Sequence, residues 1–326
     1  MTVPLRALAW SGLLLGGPAV LSAQAAGNCP TIPLDSAGMM RDVFRLSDDS
    51  MGGRRAGTPE NAKARDFIAA RFDALGLDRI GVGRIQPFAI DTRRGAVSGF
   101  NVAGVIKGTT FPDQYLVVSA HFDHIGRVGP GAPCRPSGAD SICNGADDNA
   151  SGTAGLLALA RLFLRERPQH SLLFVAFDAE ELDDVGSKAW VAAAPVPLER
   201  LLIDVNLDMV GRNAKQQLFA AGPTRYPALR PLVEATIACS SIRLTIGHDG
   251  PGAIGEDWTD QSDQAAFHAR GIPFAYFGEE DHPDYHRATD HADRLMPGFY
   301  AAAVRDVADF IRRFDDRAPT TGRVEQ

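Results

Sequence analysis

The stretch Asn144-Gly145-Ala146-Asp147-Asp148-Asn149-Ala150-Ser151-Gly152 decides how the rest of the chain reads. Two adjacent carboxylates sit in a Gly- and Asn-rich turn, and an apolar run with helical periodicity, Leu156-Leu157-Ala158-Leu159-Ala160, follows directly. Upstream lies Tyr115-Leu116-Val117-Val118, a continuous apolar run typical of a strand buried on both faces. The acidic turn therefore stands in a strand–turn–helix unit. Taken alone it is equally a helix N-terminus whose acids complement the dipole. It does not stand alone, because Ser119-Ala120-His121-Phe122-Asp123-His124, Phe177-Asp178-Ala179-Glu180-Glu181, Asn206-Leu207-Asp208-Met209 and Asp284-Tyr285-His286 add further metal-ligating residue types.

Outward from this unit the chain alternates. Strand-like segments stand near Ile85–Ile90, Asn101–Ile106, Leu172–Phe177, Leu201–Leu207, Leu218–Ala221, Ile242–Ile246 and Phe274–Phe277. Helical patterns stand near 59–77, 150–165, 187–193, 228–239, 261–270 and 300–314, the first opened by Thr58-Pro59-Glu60, a hydroxyl cap followed by Pro and an acid. Buried strands alternating with amphipathic helices predict an α/β fold, a mostly parallel doubly wound sheet with helices on both faces, in one domain over residues 26–326. No internal repeat interrupts it.

Residues 1–25 read as a signal peptide. Arg6 precedes an apolar run to Leu21 that is too short and too broken by Gly and Pro to span a bilayer, and Ala23-Gln24-Ala25 is a small-x-small cleavage site. The product is expected to be exported, periplasmic or secreted, with no membrane anchor. A formal net charge of −7 without any Lys/Arg cluster argues against nucleic acid as a partner. Four cysteines in an exported chain permit two disulfides. Cys134 and Cys143 are close enough in sequence to clip the loop before the acidic turn, whereas Cys29 and Cys239 are open to pairing or to remaining free.

In an open α/β sheet ligands bind at the carboxyl ends of the strands. His121, Glu181 and Asp208 follow strands, His286 follows another after a loop, and Asp148 lies in the acidic turn. Two imidazoles and three carboxylates suit zinc, and they suit two ions sharing a bridging carboxylate better than one open site. Asp123, two residues beyond His121, leaves the strand on the same side and can reach the far ring nitrogen of that histidine. Of the neighbours Glu180 and Glu181, one can bind metal while the other takes a proton from water. His124 reads as a loop residue and Asp147 as structural.

The ordered set His121-Phe-Asp123, Gly145-Ala-Asp-Asp148-Asn-Ala-Ser-Gly152, Glu180-Glu181, Asn206-Leu-Asp208-Met and Asp284-Tyr-His286 resembles the metal-site motifs of the M28 family of zinc aminopeptidases, over about residues 98–295. The resemblance implies one zinc on His121 and Asp208, a second on Glu181 and His286, Asp148 bridging them, Glu180 as general base, and a cis peptide after Asp148. It implies peptide substrates, cut at the N-terminal bond by water that zinc activates. Gln264 departs from the pattern, since many relatives carry His after the acid matching Asp263, and Tyr285 is the candidate to stabilise an oxyanion. A single-zinc glutaminyl cyclase is the alternative, against which His121 argues. A non-catalytic binding protein that kept the fold is the other. M20 carboxypeptidases share similar motifs but carry a lid domain for which the interval from Asp208 to His286 has no room.

Overall fold

Leu116, Val118 and Ala120 pack into one buried apolar cluster and Val117, between them, into another on the opposite side of the sheet. The same division runs through Leu172, Phe174 and Ala176 against Leu173, Val175 and Phe177. Strands apolar on both faces must be covered on both faces, and the computed structural model shows that arrangement. It describes residues 29–92, 95–129 and 132–318. The signal peptide expected over residues 1–25 lies outside them.

Eight strands form one mixed sheet: β1 (Ile85–Thr92), β2 (Gly95–Ile106), β3 (Phe111–His121), β4 (His170–Phe177), β5 (Leu201–Asp208), β6 (Gln217–Ala221), β7 (Arg243–Ile246) and β8 (Phe274–Gly278). Their order is β1-β2-β4-β3-β5-β8-β6-β7. The central strands β4, β3, β5 and β8 run parallel, as the alternation predicts. The antiparallel pairs lie outside this centre: β2 on β4, β1 on β2 and β6 on β8. Each strand expected from the sequence is present.

One face carries α1 (Ser36–Leu46), α2 (Pro59–Leu75), α3 (Gly152–Glu166), α5 (Arg230–Ile237) and α7 (Pro297–Arg317). The other carries α4 (Val185–Ala192) and α6 (Gln264–His268), with Trp190 and Phe267 filling the space beneath. Thr58 caps α2, its hydroxyl accepting the Asn61 amide at 3.2 Å, and Gly76 ends the helix in the left-handed region. Among the described residues no helix is long and apolar enough to cross a membrane.

Disulfides join Cys134 to Cys143, as the spacing predicts, and Cys29 to Cys239. The second bridge ties the start of the described chain to the end of α5. All the parallel strands of the centre end on one edge of the sheet, and the loops beyond that edge carry the residues singled out above.

Candidate metal centre

His121 is the last residue of β3 and Asp208 the last of β5, two strands paired in parallel, so backbone hydrogen bonding sets their side chains together. His121 Nε2 lies 3.2 Å from Asp208 Oδ1 and 3.4 Å from Asp148 Oδ1. On the far side of Asp148, His286 Nε2 lies 3.3 Å from Asp148 Oδ2 and 3.3 Å from Glu181 Oε2. Asp148 thus turns one carboxylate oxygen toward each histidine. Zinc bonds of ~2.0–2.1 Å place tetrahedral ligands roughly 3.3 Å apart, which is the spacing observed. No hydrogen bond reaches His286 Nε2 or Glu181 Oε1, although both are buried atoms. Orphaned donors at ligand spacing fit a bound cation.

The acidic turn is built for this placement. The Asp148–Asn149 peptide is cis, as the resemblance implies. Asn149 then reaches back, its amide donating to the Leu207 carbonyl at 2.9 Å and its oxygen accepting the Gly152 amide at 2.8 Å. Gly145 holds φ +56°, and a Cβ there would lie 2.2 Å from the Asp148 carbonyl and 2.5 Å from the His124 ring. Thr153 donates its hydroxyl to the His121 carbonyl at 2.7 Å, so α3 is tied to the end of β3.

The remaining expected residues fall around these donors. Glu180 opens a single helical turn after β4, with Oε2 3.8 Å from His121 Nε2. Burial pushes its carboxyl well above the ordinary range, against the pull of His121, and Asp208 and Glu181 add to the rise. Asp123 differs from expectation. Its carboxylate stands 3.7 Å from His121 Nδ1, too far for a hydrogen bond, and its backbone carbonyl comes closer, at 3.3 Å. The carboxylate instead accepts the Glu180 amide at 3.0 Å, because the chain turns after Phe122 and carries the side chain toward the β4 loop. Asp123 therefore positions the backbone of Glu180.

His124 corrects the sequence reading. It is fully buried, and its Nδ1 lies 2.8 Å from Glu181 Oε1 and 3.5 Å from Asp148 Oδ2, a fourth donor beside Asp148, Glu181 and His286. The signal was in the sequence, since a second imidazole followed His121 in the same loop. Two other groups gave no such signal. Arg54 is wholly buried and donates to the carbonyls of Leu46, Phe122, Asn144 and Gly145 at 2.6–2.8 Å. Burial lowers its pKa to about 10 while the surrounding acids, Asp148 first, oppose the fall. Asp290 accepts the amides of Asp147 and Asp148 at 3.0–3.2 Å and so orients the turn from behind.

Asp147 points away from the centre. Its Oδ1 accepts the Gly211 amide at 2.7 Å, and Oδ2 faces His282 Nε2 at 3.3 Å. His282 Nδ1 accepts the Asp284 amide at 3.2 Å, which leaves the ring hydrogen of the neutral imidazole on Nε2, directed at Asp147. With Glu279 these residues form a further cluster at ligand spacing behind the centre, in which Asp147 Oδ2, His282 Nε2 and both Glu279 carboxylate oxygens lack a hydrogen-bond partner. Gln264 links Asn206 to the Trp258 carbonyl, at 3.0 and 2.6 Å.

A family model described as Peptidase family M28 matches residues 101–311. The chain belongs to this peptidase family. Aminopeptidase YwaD of Bacillus subtilis (strain 168) is 30% identical over 210 residues, which are 60% of this chain and 40% of that protein. The alignments span only 30–40% of the length of three sequence relatives, YwaD included. Among solved structures, the aminopeptidase of Aneurinibacillus sp. strain AM-1 superposes with a TM-score of 0.67 at 18% identity, covering 90% of this chain and 96% of that one. The glutaminyl cyclase of Porphyromonas gingivalis superposes with a TM-score of 0.69 at 18% identity, covering 86% and 99%. The fold of this M28 chain is therefore shared by peptidases and cyclases, and the donors on the sheet edge must separate them.

Beside the centre opens a cleft of about 510 Å³. Tyr276 and Tyr285 form part of its wall, and Tyr285 stacks on His286 with ring centroids 3.9 Å apart. Burial raises both phenols above their ordinary range, so each keeps its proton. Glu256, Glu279, Glu280 and Asp281 also line the cleft, and no Lys or Arg among the described residues does.

Proposed function

We propose that this chain is an exported dizinc aminopeptidase that removes N-terminal residues from peptides. The observation that carries the reading is the pair of Asp148 oxygens, one 3.4 Å from His121 and the other 3.3 Å from His286. A carboxylate facing two donor sets in opposite directions is suited to bridge two ions. His121 and Asp208 would hold one and Glu181 and His286 the other, with His124 beside the second. Bound zinc supplies Lewis acidity, which acidifies water and polarises the scissile carbonyl.

The chain's own residues do the rest. Glu180, held by Asp123 through its backbone amide, takes the proton of the attacking water on a carboxylate oxygen. It then hands that proton to the nitrogen of the leaving amine. The Tyr285 phenol, which keeps its proton and lines the cleft, would donate to the carbonyl oxygen as negative charge develops there. Trp258 and Tyr276 supply aromatic surface to the cleft.

The charge of the cleft supports the aminopeptidase over a carboxypeptidase. A substrate's terminal carboxylate needs a cationic partner, and no Lys or Arg among the described residues lines the cleft. A substrate's terminal ammonium is matched by the net negative charge of the cleft. The two disulfides support export, since such bonds persist in oxidising compartments. The second reading, a glutaminyl cyclase, is favoured by one observation, the close superposition on a solved cyclase.

Three reporters separate the readings: a free aminoacyl amide, its N-acetyl derivative and a peptide beginning with glutamine. The aminopeptidase releases the free aminoacyl group, leaves the acetylated one intact, and liberates glutamine from the peptide. Conversion of that peptide to its pyroglutamyl form without loss of a residue would establish the cyclase instead.

A further inference from the structure

His248 sits on the cleft wall with its ring almost wholly buried, 2% exposed. Its Nδ1 lies 2.9 Å from the Glu256 carbonyl. A carbonyl only accepts, so Nδ1 carries the hydrogen and Nε2 presents a lone pair. No hydrogen bond reaches Nε2, and the near carboxylate oxygen, Glu280 Oε1, is 3.7 Å away. Burial holds the imidazole below its ordinary pKa, which keeps this tautomer neutral at pH 7.

The surrounding loop is shaped to hold that ring. His248 itself adopts φ +60°, and Gly255 adopts φ +80° where a Cβ would fall 1.8 Å from the imidazole. Trp258 stacks on the ring at 3.5 Å and 10°, and Phe219 meets it edge-on at 4.4 Å. A polar atom fixed by this much packing and left without a partner is set for something outside the chain.

The chemistry of that partner follows from the acceptors around it. Glu256, Glu280 and Asp281 are exposed carboxylates on the same cleft. Two acceptors 3.7 Å apart with no hydrogen between them suit an ammonium or guanidinium, whose N–H groups diverge to reach both. We infer that this wall, His248 with Glu256, Glu280 and Asp281, is a subsite for the cationic side chain of the substrate's first residue, lysine or arginine. The aliphatic stem of that side chain lies along the Trp258 ring, as apolar stems do when the charged head stays among polar groups. The inference rests on the aminopeptidase reading for the position of that side chain.

The test compares kcat/KM for arginyl, lysyl, leucyl and glutamyl reporters of one leaving group. Arginyl and lysyl reporters are expected to exceed leucyl by about tenfold, the effect of one well-formed charged contact, with glutamyl slowest. His248→Ala and Glu280→Gln should each lower the arginyl-to-leucyl ratio, and Glu280→Lys should lower it furthest while raising glutamyl relative to arginyl. Each ratio is taken on one preparation, so a partly unfolded variant does not distort it. A wild-type ratio at or below one, or ratios that the variants leave unmoved, would overturn the subsite. If no reporter is cleaved, the functional reading fails on its own, and the subsite is then read from calorimetric binding of argininamide and norleucinamide to the zinc-loaded protein. Tighter argininamide binding that Glu280→Gln weakens is expected, and equal binding of the two amides would overturn the subsite.

Discussion

The two halves of the centre are held in different ways. His121 and Asp208 end adjacent parallel strands, and the His121 side chain is 1% exposed. His286 and Glu181 stand on loops beyond β8 and β4, and the His286 side chain is 27% exposed. The inner half inherits its geometry from the sheet. The outer half borrows its geometry from contacts among loops: Arg212 pairs with Asp284 at 2.6 Å, Thr289 donates to the same aspartate at 2.6 Å, and the Cys134–Cys143 bridge closes the neighbouring loop. Support thus passes from paired strands to loop contacts within a few ångströms, and ion retention should be graded with it.

Arg54 is where the two halves meet, so its removal gives the largest expected effect. It holds the Phe122 carbonyl on the inner side and the Asn144 and Gly145 carbonyls on the side of the acidic turn. Arg54→Met would leave those carbonyls without their donor and the buried acids without their cation. Breaking a buried charge from its partners costs roughly 3–5 kcal/mol, to be read in chemical denaturation with zinc present. A loss under about 1 kcal/mol, the scale of a surface ion pair, would show that the halves do not depend on it.

The grading itself is read by dialysis against a weak chelator. One equivalent of zinc should leave well before the other, and His286→Ala should retain close to one ion per chain. Equal release of both ions from the wild type would break the comparison.

What the sequence made legible divides along the same line. His121, Asp208 and Glu181 follow continuous apolar runs, and such runs both mark a buried strand and say where it ends. The sheet itself was readable for the same reason, down to each of its strands. Asp148 and His286 came from motif spacing, because turn and loop positions carry no periodic signal. Arg54 was not readable, since the carbonyls it serves beyond Leu46 lie 68 to 91 residues away and nothing in Met51-Gly52-Gly53-Arg54 announces them. His124 and the true partner of Asp123 were lost for a related reason. The chain turns sharply after β3, and two-residue alternation stops predicting direction once a strand has ended.

The smallest effect belongs to the loop clip. Closing the loop between Cys134 and Cys143 is worth only ~2–3 kcal/mol by chain entropy. Selective reduction should lower the unfolding midpoint accordingly and speed loss of the outer zinc, with the inner one unaffected. Faster release of the inner ion would place the restraint on the wrong half.

The central claim is that two ions share Asp148 while Glu180, which binds neither, moves the proton. Glu180→Gln keeps the size and polarity of the side chain but cannot accept a proton at neutral pH. General-base catalysis contributes about 10²–10⁴-fold, so kcat on an aminoacyl reporter should fall by roughly that range while elemental analysis still finds close to two zinc ions per chain. A variant that keeps most of its kcat, or that binds only one zinc, would contradict the account.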